Sequence, residues 1–332
     1  MTRGVNLGGW LVLERWITPS VFGELSARDE RTLCRDLGGQ AASILSLHRR
    51  NFITEADFEW IAGHGLNAIR LPIGYWLFGD EPPFVGCIEY VDKAFEWAKA
   101  HGLGILLDLH AAPGSQNGHD HSGAIGDISW NELDNITKSL KVVERLAERY
   151  KGNSSLIGIE LLNEPSWLNR KKHIRKYYED GYEAVRRQCG TNVAVVVSDA
   201  YHPFRWKHVM QNDKYQNKQL DVHLYQLFSS RDKKLSLAGH INKTVQEWSK
   251  LIAKVSKHWP IIIGEWSVAL DEQTFNGYDK SAKDAANRLY AAAQLAVFEH
   301  AAGWFYWTYK AEQGGPWSYR DCVYKGWLPA RY

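Results

Sequence analysis

Two glutamates stand where solvation alone explains little. Glu164 follows Ile159-Glu160-Leu161-Leu162-Asn163, and Glu265 follows Ile262-Ile263-Gly264, each a carboxylate at the end of an apolar run. Burying such a group unpaired is costly, so it needs partners or a task. Two carboxylates facing one cavity are the minimal machinery for cleaving a glycosidic bond: one protonates the leaving oxygen while the other attacks or positions water. On this reading Glu164 is the general acid/base and Glu265 the nucleophile. The acid must then hold a proton near neutral pH while the nucleophile stays ionised.

Other polar residues emerge from apolar runs in the same way. Arg70 lies in Ala68-Ile69-Arg70-Leu71-Pro72 and His110 ends Leu107-Asp108-Leu109-His110. A structural salt bridge and a satisfied core histidine are their bland alternatives, and both lose force beside the glutamates. Arg70 is expected to hold Glu265 as the anion, with Tyr225 donating to the same carboxylate and His223 lying nearer Glu164. Asn163 would bond a sugar 2-hydroxyl, a contact that strengthens in an oxocarbenium-like transition state. Trp307 offers a stacking platform, against the alternative of a pure core role. Asn6 and Asp199 also end apolar runs.

The elements that must position these residues read as eight short apolar segments separated by amphipathic stretches, the pattern of parallel strands joined by crossover helices. The strands are expected over Gly4 to Leu7, Asn67 to Pro72, Gly104 to His110, Ile157 to Asn163, Val193 to Asp199, Leu220 to Tyr225, Ile261 to Glu265 and Gly303 to Trp307. Helices are expected over Ile88 to His101, Glu132 to Tyr150, Lys172 to Gln188, Leu237 to Lys257 and Ala282 to His300, with two more near Arg28 to His48 and Glu55 to His64. Eight repeats close an α/β barrel, a (β/α)8 TIM barrel, as a single domain over residues 1 to 332. Its active site would lie at the carboxyl ends of the strands.

Composition narrows the partners. Forty Lys and Arg against 38 Asp and Glu leave a formal charge of +2, so no strong field exists to attract nucleic acid or an anionic membrane. Fifteen Trp, 16 Tyr and 11 Phe supply stacking surface for sugar rings as well as core volume. Cys34, Cys87, Cys189 and Cys322 are scattered without metal or redox spacing and read as free thiols. No apolar run is long enough to span a membrane. The chain reads as cytoplasmic if Met1 is the native start and as secreted if a signal segment has been removed. A monomer is expected.

Arg70, His110, Asn163-Glu164, His223 with Tyr225, Glu265 and Trp307 together resemble the pattern of glycoside hydrolase family 5, a family of clan A. The resemblance is closest to its fungal exo-β-1,3-glucanases, through Arg3-Gly4-Val5-Asn6-Leu7-Gly8-Gly9-Trp10 with Leu13-Glu14, Ile73-Gly74-Tyr75-Trp76, and Ala112-Pro113-Gly114-Ser115-Gln116-Asn117-Gly118. Trp307-Thr308-Tyr309-Lys310-Ala311-Glu312 and Pro316-Trp317-Ser318-Tyr319 extend it to the C-terminus. It implies a retaining enzyme that releases glucose from the end of a β-glucan, with transfer to sugars as a side activity and no cofactor. Glu14 would bind hydroxyls of the terminal glucose in a pocket blind at its far end. The group clamps the leaving sugar between two phenylalanines. Phe228 matches one, whereas His119 stands where the other is expected, with Asp120 beside it as a further substrate-binding candidate. The long cysteine-bearing insertion after the second glutamate is missing from this chain.

Three alternatives remain at this level. A relative with endo-action, or with preference for β-1,4-, β-1,6- or aglycone-linked glucose, would use the same residues. A carbohydrate-binding protein on a decayed scaffold would lack one glutamate, and both are present. A metal-dependent hydrolase is disfavoured because no His-x-His pair or spare carboxylate cluster completes a three-ligand set with His110 and His223.

Overall fold

The computed structural model describes residues Met1–Tyr332. Its eight strands are β1 (Thr2–Asn6), β2 (Ala68–Gly74), β3 (Gly104–Ala111), β4 (Leu156–Glu160), β5 (Ala194–Ser198), β6 (Lys218–Leu224), β7 (Ile261–Trp266) and β8 (Gly303–Tyr306). They pair in parallel in chain order, and β8 returns to β1 to close the barrel. The TIM-barrel expectation therefore holds, with strand limits within a few residues except at β4.

The helices are α1 (Pro19–Phe22), α2 (Glu30–Leu37), α3 (Ala41–Phe52), α4 (Glu55–Gly63), α5 (Ile88–His101), α6 (Leu133–Tyr150), α7 (Lys171–Cys189), α8 (Leu237–Lys243), α9 (Ser249–Val255), α10 (Lys280–Phe298) and α11 (Tyr319–Tyr324). On α6 the buried residues Val142, Val143, Leu146, Ala147 and Tyr150 recur at three- and four-residue intervals, which turns one face onto the barrel. The helix expected over Arg28 to His48 divides at Gly38, whose φ of +51° favours glycine. The one expected over Leu237 to Lys257 carries a π turn at Thr244–Trp248. There the Thr244 hydroxyl bonds the His240 carbonyl and accepts from Gln226, a side-chain insertion that widens the helix. The crossover between β5 and β6 contains no α-helix, only the 3₁₀ turn Pro203–Trp206.

Most buried apolar residues form one cluster between strands and helices. Inside the barrel a smaller plug of Ala68, Leu106, Ala194, Val196, Ile262 and Phe305 closes the amino end. Two residues further along their strands, on the same inward face, come Arg70 and Asp108. The interior thus passes from apolar to ionic within one layer. Seven tryptophans are wholly buried, so much of the aromatic content is core. No helix is long and apolar enough to cross a membrane.

Candidate active site

The deepest ionic group is Arg70, which is wholly buried. Its Nε donates to Glu160 Oε2 at 2.8 Å, Nη1 to Asn6 Oδ1 at 3.0 Å and Glu265 Oε1 at 3.2 Å, and Nη2 to Asn163 Oδ1 at 2.9 Å. Asp108 lies 3.0 Å and Asp221 3.7 Å from Nη2. One guanidinium thus organises five strands. Burial opposes its charge, but the surrounding acids raise its pKa well above the ordinary value. Burial likewise raises Glu160 well above the usual carboxylate range in spite of Arg70, and Glu160 Oε1 has no partner.

Glu265 ends β7 directly after Gly264. A Cβ on that glycine would lie 1.9 Å from Asp221 Oδ2, and the Gly264 amide donates to Asp221 Oδ1 at 2.6 Å. Glycine is therefore needed for the strand to approach Asp221. The β6–β7 register shifts between Val222 and His223, which brings His223 opposite Glu265; such irregularities re-aim side chains at strand ends. The Tyr225 hydroxyl donates to Glu265 Oε2 at 2.9 Å.

Glu164 lies beyond β4, which ends at Glu160 rather than at Asn163 as expected. The intervening residues keep ladder contacts, Leu161 N donating to Val196 O and Asn163 N to Leu109 O, both at 3.0 Å. Glu164 itself has φ +42°, a costly conformation for a side-chain-bearing residue. His223 Nδ1 lies 2.6 Å from Glu164 Oε1 and 3.5 Å from Glu265 Oε2, while its Nε2 is 3.2 Å from Asp221 Oδ2. Ligand atoms of Glu164, His223 and Glu265 all fall within 4.8 Å of one another.

Burial disfavours charge on His223, yet Glu265, Asp221 and Glu164 raise its pKa well above the ordinary histidine value. Burial would raise Glu164, but the His223 cation and hydrogen bond, His121 and the Tyr201 hydroxyl hold it below the usual carboxylate range. Glu265 is raised, by burial first and by the Glu164 charge, against His223 and Arg70. His223 thus stands between the two carboxylates, hydrogen-bonded to Glu164 at 2.6 Å and 3.5 Å from Glu265.

These groups open into a cavity of about 750 Å³, whose walls include Glu14, His110, His119, Asp120, Glu164, Tyr225, Phe228, Glu265 and Trp307. Arg70, Asn163 and His223 are absent from the walls and lie behind them. His110 Nδ1 is 2.6 Å from Asp108 Oδ2, and its Nε2 has no partner. Its ring lies parallel to Trp307 with centroids 5.3 Å apart. Glu14 accepts from Trp16 Nε1 at 2.8 Å; burial, then Asp120, raises its pKa well above the usual range. The loop after β1 that carries Glu14 is fastened by Glu30, which accepts from Leu13 N at 2.8 Å and pairs with buried Arg49 at 3.3 Å. The long first crossover thus has a site-building task. Phe228 is 68% exposed at the mouth, edge-on to Tyr225.

Sequence reasoning missed His121, Tyr201, Trp16 and Trp317, which also line this cavity. None directly ends an apolar run; they stand on loops that only the closed barrel brings together. Asp199, which does end an apolar run, turns away to accept from Tyr201 N at 2.8 Å. It shapes the turn that presents Tyr201. Glu160, Asp108 and Asp221 had a usable signal, being charged residues within apolar strands, the latter two placed two positions before His110 and His223.

The expectation of no His-x-His pair and no spare carboxylate cluster needs correction. His119 and His121 are such a pair, with rings stacked at 5.5 Å. Glu160, Asp221 and His223 also bring ligand atoms within 4.8 Å of one another. Arg70 stands among the latter, 2.8 Å from Glu160 and 3.7 Å from Asp221, so a cation already occupies that polar centre. The four cysteines are free.

A closed barrel with paired carboxylates under an aromatic-walled cleft is the construction of a glycoside hydrolase. The chain belongs to glycosyl hydrolase family 5: the model for that family, described as cellulase, matches residues 37–313. A glucan 1,3-beta-glucosidase of Blumeria graminis is 38% identical, the alignment covering 98% of this chain and 86% of the relative. Glucan 1,3-beta-glucosidase 1 of Schizosaccharomyces pombe is 37% identical over 95% of this chain and 83% of its own. Among solved structures, the rutinosidase from Aspergillus niger superposes with a TM-score of 0.83 at 23% identity, covering 98% of this chain and 97% of that one. The Pseudomonas stutzeri endoglucanase Cel5A gives 0.59 at 16% identity, with coverage of 92% and 83%. At those identities the likeness is one of fold.

Proposed function

We propose that this enzyme releases glucose from the non-reducing end of β-1,3-linked glucans and oligosaccharides by double displacement with retention. The observation that carries the mechanism is the approach of Glu164 and Glu265, with ligand atoms of both and of His223 within 4.8 Å of one another. Retaining enzymes place the two carboxyl groups about 5–5.5 Å apart, whereas inverting ones leave roughly 6.5 Å or more for a water. The linkage rests on relatives named for glucan 1,3-beta-glucosidase activity at 36–38% identity over nearly the whole chain.

In the first step Glu265 attacks the anomeric carbon while Glu164 gives its proton to the departing oxygen and is left ionised, with His223 Nδ1 2.6 Å from its Oε1. Arg70 and Tyr225 fix both oxygens of Glu265. In the second step Glu164 takes a proton from water, which attacks the glucosyl-enzyme; a sugar hydroxyl in place of that water gives transfer. Arg70 holds the Asn163 carbonyl; one proton of the Asn163 amide faces His121 Nδ1 at 3.4 Å, and the other is the one available to a sugar 2-hydroxyl that reaches past the cavity wall. The unpartnered His110 Nε2 accepts from another hydroxyl, Trp307 stacks on the ring, and Glu14 with Asp120 binds the far edge.

The test is turnover of laminari-oligosaccharides, cello-oligosaccharides and gentiobiose, with released sugars followed by NMR. Glucose appearing first as the β-anomer, fastest from the 1,3-linked series, is the expected result. The α-anomer as first product refutes retention. Faster turnover of another linkage refutes the substrate and leaves the carboxylate roles intact.

A further inference from the structure

We infer that His121, in the loop after β3, is a positioning residue for Glu164: a neutral imidazole whose Nε2–H is directed at the carboxylate oxygen that exchanges the proton with the leaving group. The inference rests on the acid/base role proposed for Glu164.

The orientation follows from a chain of hydrogen bonds that begins at Arg70. Arg70 Nη2 donates to Asn163 Oδ1 at 2.9 Å, so the other end of that side-chain amide, Nδ2, is a donor. Asn163 Nδ2 lies 3.4 Å from His121 Nδ1. Asn117 Nδ2 also lies 3.5 Å from Nε2, but it already donates to the Glu164 carbonyl at 3.2 Å, and the charged group beside Nε2 is the Glu164 carboxylate; Nδ1 accepting from Asn163 and Nε2 carrying the proton is the tautomer that suits both ends of the ring. His121 Nε2 is in turn 3.6 Å from Glu164 Oε2. His223 takes the other oxygen, Oε1. The two oxygens of Glu164 are therefore addressed by different histidines, and Oε2 is the one left for a glycosidic oxygen.

Neutrality has a physical basis. Burial leads in lowering the His121 pKa to about 3; Glu164 opposes this, and His110, His119 and His223 add to the lowering. The groups facing it are His110 with Asp108 from β3, His119 and Asp120 from its own loop, Asn163 and Glu164 after β4, and His223 from β6. Tyr201 and Glu265 act on Glu164 from the remaining sides. A neutral donor stabilises the Glu164 anion without adding another cation beside His223. It steadies the carboxylate after proton delivery and holds it for activation of water. The contact is long in the free site, as catalytic hydrogen bonds often are before substrate closes them.

The test compares His121→Leu, which removes the donor, with His121→Gln, which keeps an N–H near the Nε2 position. Removing a donor to the anion raises the apparent pKa of the acid. The alkaline limb of kcat/KM should therefore move up by about half a pH unit or more in His121→Leu. kcat/KM should fall about tenfold for sugar leaving groups and little for nitrophenolate. His121→Gln should restore both. An unmoved limb, or equal losses in the two variants, overturns the inference. Glu164→Gln serves as the control: if it keeps the alkaline limb, the acid role itself fails and the inference falls with it. Histidine ¹⁵N shifts of the unaltered enzyme at pH 7 give a readout independent of variant folding, and a proton on Nδ1 of His121 overturns the proposal.

Discussion

Replacing Arg70 by methionine removes the cation that Asp108, Glu160, Asp221 and Glu265 share, at 3.0, 2.8, 3.7 and 3.2 Å. Arg70, Asp108 and Glu160 have no solvent exposure, so no water takes the cation's place without rearrangement. Removing one partner of a buried charge pair costs about 3–5 kcal/mol. Unfolding entropy of about 2.1 cal/mol/K per residue gives about 0.7 kcal/mol/K for this chain, so Tm should fall by about 4–7 °C. The loss should depend on pH. Arg70 lowers the folded-state pKa of Glu160 and Glu265, and without it those carboxyls retain protons that the unfolded chain releases above its ordinary carboxylate pKa. The deficit then grows as pH rises through the raised folded-state pKa values of those carboxyls and shrinks below them. Arg70→Lys keeps the charge but not the fork that reaches Glu265 and Asn163 together, so it should recover stability more than kcat/KM. Calorimetry of both variants from pH 5 to 8, beside kcat/KM, is the assay. A methionine variant with unchanged Tm, or a deficit that does not vary with pH, refutes this account of the polar centre.

Glu265→Gly should lose activity by roughly 10⁴-fold or more, and azide should restore part of it as the α-glucosyl azide; a β-azide reassigns the nucleophile. His119→Phe supplies a second aromatic wall across the mouth from Phe228. One added stacking contact of about 0.5–1.5 kcal/mol should improve kcat/KM for longer 1,3-linked substrates by up to about tenfold, and equal kinetics across linkages end that idea. Asp199 has its folded pKa raised to about 7 by burial. The unfolded chain releases this proton near its ordinary value, so the unaltered enzyme loses stability as pH rises from about 4 to 7. Asp199→Asn should not, and a ΔTm between the two that stays constant across that window refutes the burial argument.

The chain alone determined the strands, because a strand buried on both faces must be apolar along its length and the period is local. It also determined which polar residues leave those strands. That reasoning placed Glu164, Glu265, Arg70, His110, His223, Tyr225 and Trp307 at one end of a barrel, since each follows its apolar run directly. Only the tertiary structure decided the rest. His121 and Tyr201 stand on loops whose course depends on what packs beneath them, and no periodic signal marks them. Which oxygen each donor meets is fixed by Arg70 reaching five strands at once, a contact set with sequence separations from 38 to 195 residues. The raised pKa of His223 is likewise a property of three carboxylates converging around one buried ring, because electrostatic energy depends on distance and burial, which a linear sequence does not state.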